Sequence, residues 1–243
     1  MEVELFIPCF IDQLYPQTAL SVEKILMRSG CTVFYNPEQT CCGQPSFNSG
    51  YWNETRKVAR KWVNDFSGER LIVTPSASCS GFVKNYYGKL FDQDSILHER
   101  SENISKRLFE FSDFLVNYLR KTDLGAYFPH TVTFHDSCAG LREYEIKEEP
   151  RLLLEKVKGL NLIEMKDTET CCGFGGTFAA KFHAISTAMT EQKVENALQT
   201  GAEYIVSTEA SCLMNIQSYI TKNDLPLKTI HLADLLVHDG GLS

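Results

Sequence analysis

Residues 168–178 read TETCCGFGGTF and residues 39–47 read QTCCGQPSF, so two adjacent cysteines followed by glycine occur twice in one chain. As thiolates, cysteines are soft ligands for iron–sulfur clusters, zinc or copper(I), and nucleophiles in thiol–disulfide exchange. The pairs belong to a longer repeat. Cys9, Cys41, Cys42 and Cys79 recur as Cys138, Cys171, Cys172 and Cys212, with 31 and 32 residues between the first and second cysteine and 36 and 39 between the pair and the last. Eight of the nine cysteines obey this scheme, which calls for a fold that gathers each quartet.

Composition narrows the chemistry. A disulfide-stapled secreted scaffold is small, carries an export signal and has an even cysteine count; this chain has 243 residues, opens on the acidic MEVELFIPCF and has nine cysteines. A net charge of −7 without a basic patch excludes nucleic-acid and anionic-membrane partners, which recruit Lys and Arg clusters. No apolar run approaches the roughly 18 residues of a membrane span. The expected compartment is the cytoplasm, and metal binding or redox chemistry accounts best for so many thiols.

The elements that must position them follow from periodicity. VELFIP runs to Cys9 and TVTFHDS to Cys138 as strands, and helices TALSVEKILMRSG and EPRLLLEKVKG follow, closed by Gly30 and Gly159. Strands CTVFYN and LNLIEM lead to the cysteine pairs. A helix starts near Asn53, a candidate N-cap, with Val58, Trp62 and Phe66 on one stripe; its counterpart spans roughly 178–199. Strands RLIVTP and EYIVST lead to Cys79 and Cys212. The expected fold is α/β, with two pseudo-repeated parallel-sheet halves, residues 1–125 and 126–243, and the cysteine loops at the C-terminal ends of the strands, where open α/β sheets bind ligands. SENISKRLFEFSDFLVNYL, with Ile104, Leu108, Phe111, Leu115 and Leu119 on one face, closes the first half.

Three readings of the quartets stand side by side. Structural zinc usually takes tight Cys-x2-4-Cys knuckles, whereas these ligands come from three separate loops, an arrangement better suited to a larger multi-iron group. A metal-free thiol–disulfide enzyme is the third reading. Glycines Gly173, Gly175 and Gly176 let the backbone approach such a group and offer N–H donors to sulfur.

The order Cys, Cys-Cys-Gly, Cys, repeated twice, with CCGQPSFNSGY, CCGFGGTF and SCLMNI as the most telling stretches, resembles the cysteine-rich CCG domain family. That family includes the heterodisulfide reductase catalytic subunit and the iron–sulfur subunits of glycolate oxidase and anaerobic glycerol-3-phosphate dehydrogenase. The chain resembles most its short members made of two such domains alone. The resemblance implies iron–sulfur clusters, [4Fe–4S] in kind, one or two per chain, held by Cys9, Cys41, Cys42, Cys79, Cys138, Cys171, Cys172 and Cys212. It also implies a role in oxidising L-lactate to pyruvate beside a ferredoxin-like iron–sulfur protein and a third, smaller subunit, with glycolate or another 2-hydroxy acid as the alternative substrate. The family motif ends in Cys-x-x-Cys, but its first cysteine is Ser76 here in one copy and Glu209 in the other, so either side chain is a candidate oxygen ligand.

Other residues read more plainly. Cys31 opens a strand and is expected in the core. His135 and Asp136 near Cys138 face no histidine or aspartate at the matching place in the first copy, so a role for them belongs to one half, and they suit either a tuning role or simple packing. Asp113 and Asp234, matched between copies in FEFSDFLV and IHLADLLV, read as helix caps. The GFGG run lacks the Rossmann spacing and a P-loop lysine, and no flavin fingerprint is present, so the chain reads as an electron relay. Tyr35, Phe47, Tyr51, Trp52 and Phe178 are expected mainly in the core.

Overall fold

The structure is a computed structural model that describes residues 1–239. Strands β1 (Glu2–Leu5), β2 (Thr32–Tyr35), β3 (Leu71–Thr74) and β4 (Leu108–Glu110) form one parallel sheet in the order β2-β1-β3-β4. Strands β5 (Thr131–Phe134), β6 (Asn161–Leu162), β7 (Tyr204–Ser207) and β8 (Lys228–His231) form a second in the order β6-β5-β7-β8. The two sheets have the same topology, which is the repeated α/β architecture the cysteine spacing implies.

Both faces of each sheet are covered, so the strands read as short continuous apolar runs. Val3, Leu5 and Val73 of the first sheet and Val132, Phe134 and Val206 of the second line one shared core, completed by helices Pro16–Arg28, Phe111–Asp113, Glu148–Leu154 and Leu232–Leu236. The alternate residues face outward into separate cores. Phe6 and Ile72 meet Trp62, Phe66, Phe82 and Tyr87 in the first half, and Ile205 meets Val194 and Ile216 in the second. Phe6, Trp62 and Phe66 pack with centroids 4.5 to 5.5 Å apart, and truncating Trp62 to Ala would cost about 3–5 kcal/mol.

The halves exchange contacts reciprocally. Helix Leu232–Leu236 packs on Pro16–Arg28 of the other half, where Asp234 accepts the hydroxyls of Thr18 at 2.6 Å and Ser21 at 2.8 Å. Helix Phe111–Asp113, continued by the π-helical turn Phe114–Tyr118, packs on Glu148–Leu154, and Asp113 accepts the Tyr144 hydroxyl at 2.6 Å. The paired aspartates therefore join the halves and do not cap. The caps are one turn earlier, where Glu110 accepts from the N–H groups of Ser112 and Asp113 and His231 from that of Ala233.

Two further expectations need correction. The stretch around residue 108 is helix Ser95–Arg107, then β4, then helix, because Leu108 to Glu110 pair with Ile72 to Thr74 in a strand too short to show alternation. Asn53 lies inside helix Trp52–Asp65, which starts behind Tyr51 with no side-chain cap. Among the described residues, no helix is long and apolar enough to cross a membrane.

Candidate metal centre

Matching elements deliver matching thiols. Cys9 and Cys138 begin the helical turns after β1 and β5; Cys41–Cys42 and Cys171–Cys172 lie in the loops after β2 and β6. Cys79 and Cys212 occupy the first turns of helices Ala77–Leu90 and Ala210–Lys222 after β3 and β7. All lie beyond the C-terminal strand ends.

In the first quartet the thiols touch in series: Cys9 with Cys41, Cys41 with Cys42, and Cys42 with Cys79, the last two sulfurs 3.3 Å apart. The second repeats the series through Cys138, Cys171, Cys172 and Cys212. The neighbouring thiols of Cys42 and Cys9, and the Gly43 N–H donated to Cys41 Sγ at 3.4 Å, hold the Cys41 thiol down at about 3. Those of Cys138 and Cys172, and the Gly173 N–H donated to Cys171 Sγ at 3.4 Å, hold the Cys171 thiol down at about 2. Cys9, Cys42, Cys138 and Cys172 are pushed up by contact with the neighbouring thiols and by burial, and Cys42 donates to Cys79. Gly43 and Gly173 both have φ of +89°, the left-handed conformation that glycine adopts without a Cβ penalty.

Behind the sulfurs the halves differ. The Cys42 carbonyl accepts the Tyr87 hydroxyl at 2.7 Å from an aromatic core, whereas the Cys172 carbonyl accepts Thr190 Oγ1 at 2.8 Å and Asn215 Nδ2 at 3.0 Å. His135, Cys172 and Cys212 bring their donor atoms within 4.8 Å of one another. Burial, then Lys193, hold the His135 imidazole down at about 3, so it is neutral. Lys193 itself is buried, its Nζ donating to the carbonyls of Asp167 at 2.6 Å and Thr168 at 3.0 Å. Its position, far along the chain in helix His183–Leu198, gave no signal in the sequence. Asp136 forms a two-point ion pair with Arg151 at 2.9 and 2.8 Å, a structural link.

Ser76 and Glu209 turn toward each other. Glu209 accepts the Ser76 hydroxyl at 3.2 Å and the Ser78 N–H at 3.0 Å, while Ser76 caps the helix of Cys79. Their oxygens are committed to this bridge between the halves. Beside it a cavity of about 200 Å³ opens over the second quartet, walled by Gln44 and Asn48 from the first half and by Cys138, Cys171 and Cys212. Cys31 lies in the shared core, apart from both quartets. Tyr35, at the end of edge strand β2, and Tyr51 and Trp52, at the start of helix Trp52–Asp65, are exposed, against the expectation of burial; Phe47 packs on Phe82 and Tyr86, and Phe178 on Phe182.

The cysteine-rich domain model named CCG matches residues 3–84 and 132–217, one match for each quartet. The chain belongs to the CCG cysteine-rich domain family. It is 39% identical over 239 residues to lactate utilization protein A 1 of Bacillus mycoides, covering 98% of each chain. It is 40% identical over 236 residues to lactate utilization protein A of an Exiguobacterium strain, covering 96% of each, and 39% identical over 238 residues to that of Halalkalibacterium halodurans, covering 98% and 97%. A hypothetical protein from Helicobacter pylori shares the fold, with a TM-score of 0.61 at 10% identity; the chain is covered completely and spans 49% of that protein.

Proposed function

We propose that this chain is an iron–sulfur electron-transfer subunit of a cytoplasmic system that oxidises L-lactate to pyruvate. In that system it works beside a ferredoxin-like iron–sulfur protein and a third subunit. The observation that carries the reading is the meeting of each thiol quartet in a chain similar over nearly its whole length to proteins named for lactate utilization.

The donor set fits a thiophilic group, because four soft sulfurs converge from three loops in each half. The eight cysteines would hold it, and when bound an iron–sulfur cluster supplies one-electron transfer. The chain's own part is to set the surroundings. Gly43 and Gly173 donate N–H groups to ligand sulfur, and buried side chains keep water from Cys42 and Cys172.

A tetrahedral zinc site is the second reading. It is favoured by the 3.3 Å approach of Cys42 to Cys79, nearer to the about 3.8 Å between two sulfurs on one tetrahedral ion at about 2.3 Å than to the wider separation of ligands on different irons. Anaerobic purification followed by iron, acid-labile sulfide and zinc analysis and EPR separates the two. Iron with sulfide supports the cluster; stoichiometric zinc without sulfide rejects it. Cys171→Ala and Cys172→Ala are expected to lower bound iron and Cys31→Ala to leave it unchanged. Loss of growth on lactate after gene deletion tests the substrate.

A further inference from the structure

We infer that His135 is a metal ligand: an imidazole nitrogen joins Cys172 and Cys212 at the metal of the second quartet, whereas the first quartet offers thiolates alone. The inference rests on the metal-binding reading above and adds a donor that the cysteine pattern does not contain.

His135 is fully buried, and neither Nδ1 nor Nε2 makes a well-formed hydrogen bond, the Thr168 carbonyl alone lying beside the ring. Leaving a buried polar group unpaired costs about 1–3 kcal/mol, so such a group in a folded protein calls for an explanation. The carbonyl beside the ring, that of Thr168, already accepts Lys193 Nζ at 3.0 Å and the Asp136 N–H at 3.2 Å. What the ring does face is sulfur, with a nitrogen within 4.8 Å of the Cys172 and Cys212 sulfurs.

The first half supplies the control. Phe6 holds the same place in its sheet, its N–H bonded to the Val73 carbonyl at 2.9 Å as that of His135 is to Val206 at 2.8 Å. Phe6 fills that place with apolar contacts to Trp62 and Phe66. The fold therefore accepts a phenyl ring there, and packing alone does not require an imidazole. A mixed sulfur and nitrogen donor set differs from an all-thiolate one in preferred metal and, for iron, in reduction potential.

The test uses full-length protein with 15N-labelled histidine and the first quartet disabled by Cys41→Ala and Cys42→Ala. It is loaded anaerobically with ferrous iron and sulfide, and in parallel with cobalt(II) alone, and pulsed EPR reads nitrogen bonded to the metal. A directly coordinated histidine nitrogen is expected. His135→Phe should abolish that signal and weaken metal binding at this quartet by about 10–100-fold, and His135→Cys should restore binding without the nitrogen signal. Bound metal without histidine nitrogen coupling overturns the inference while leaving the metal reading intact; failure to take up either metal overturns both. If His135→Phe fails to fold, the coupling measured with His135 present decides alone.

Discussion

Glu209 in the second half accepts the backbone N–H of Ser78 in the first at 3.0 Å, so the helix that carries Cys79 starts on a side chain belonging to the helix of Cys212. With the Ser76 and Ser211 hydroxyls also donating to it, this nearly buried carboxylate ties the two quartets together. Glu209→Ala leaves those donors unpaired in a closed site and is expected to lower stability by about 1–3 kcal/mol. Glu209→Gln, which keeps an acceptor, should lose less. Urea midpoints of the two variants check the bridge, and a Glu209→Ala protein as stable as the parent would remove it.

Glu110 sets a pH dependence. Burial pushes its carboxyl up to about 8, with Oε2 accepting from Ser112 and Asp113 and Oε1 without a partner. Between the ordinary carboxylate value of 4.5 and about 8 the folded chain keeps a proton that the unfolded chain releases. The contribution is therefore fully present at low pH and falls as pH rises through that window, at about 1.4 kcal/mol per pH unit, then levels off. Glu110→Gln, which mimics the protonated form, should flatten the slope and gain relative stability in alkaline buffer. Denaturation curves across the window decide it; parallel profiles for the two proteins would reject the assignment.

The matched glycines separate backbone strain from crowding. A Cβ on Gly173 would lie 2.4 Å from the Ser186 carbonyl oxygen, whereas the nearest atom to one on Gly43 is Thr55 Cγ2 at 3.3 Å. The left-handed conformation costs alanine about 1–2 kcal/mol at either position. Gly173→Ala must also move backbone, so its melting temperature is expected to fall further than that of Gly43→Ala. Equal losses would show that the second loop yields freely.

Much of this arrangement was legible in the residues. Each motif cysteine follows a short apolar strand, so the spacing alone placed Cys9, Cys79, Cys138 and Cys212 at strand ends and predicted that the quartets converge. What spacing cannot show is which half a side chain serves. Asp113 and Asp234 were visible as a matched pair, yet a first-turn aspartate that caps its own helix looks the same in sequence as one that bonds Tyr144 or Thr18 across the interface. β4 was hidden because three residues carry no period. The exchange between Ser76 and Glu209 joins residues 133 apart in the chain, and no local pattern reports it.

The crossed packing of helix Leu232–Leu236 on Pro16–Arg28, and of residues 111–118 on Glu148–Leu154, leaves neither copy closed by itself. A polypeptide nicked between them is expected to stay together as a two-piece complex, and an isolated copy to seek a twin about a twofold axis. Covalent linkage removes the need for the twins to be identical. Phenylalanine on one side and histidine on the other is a divergence that a true homodimer, with one gene for both faces, has no means to adopt.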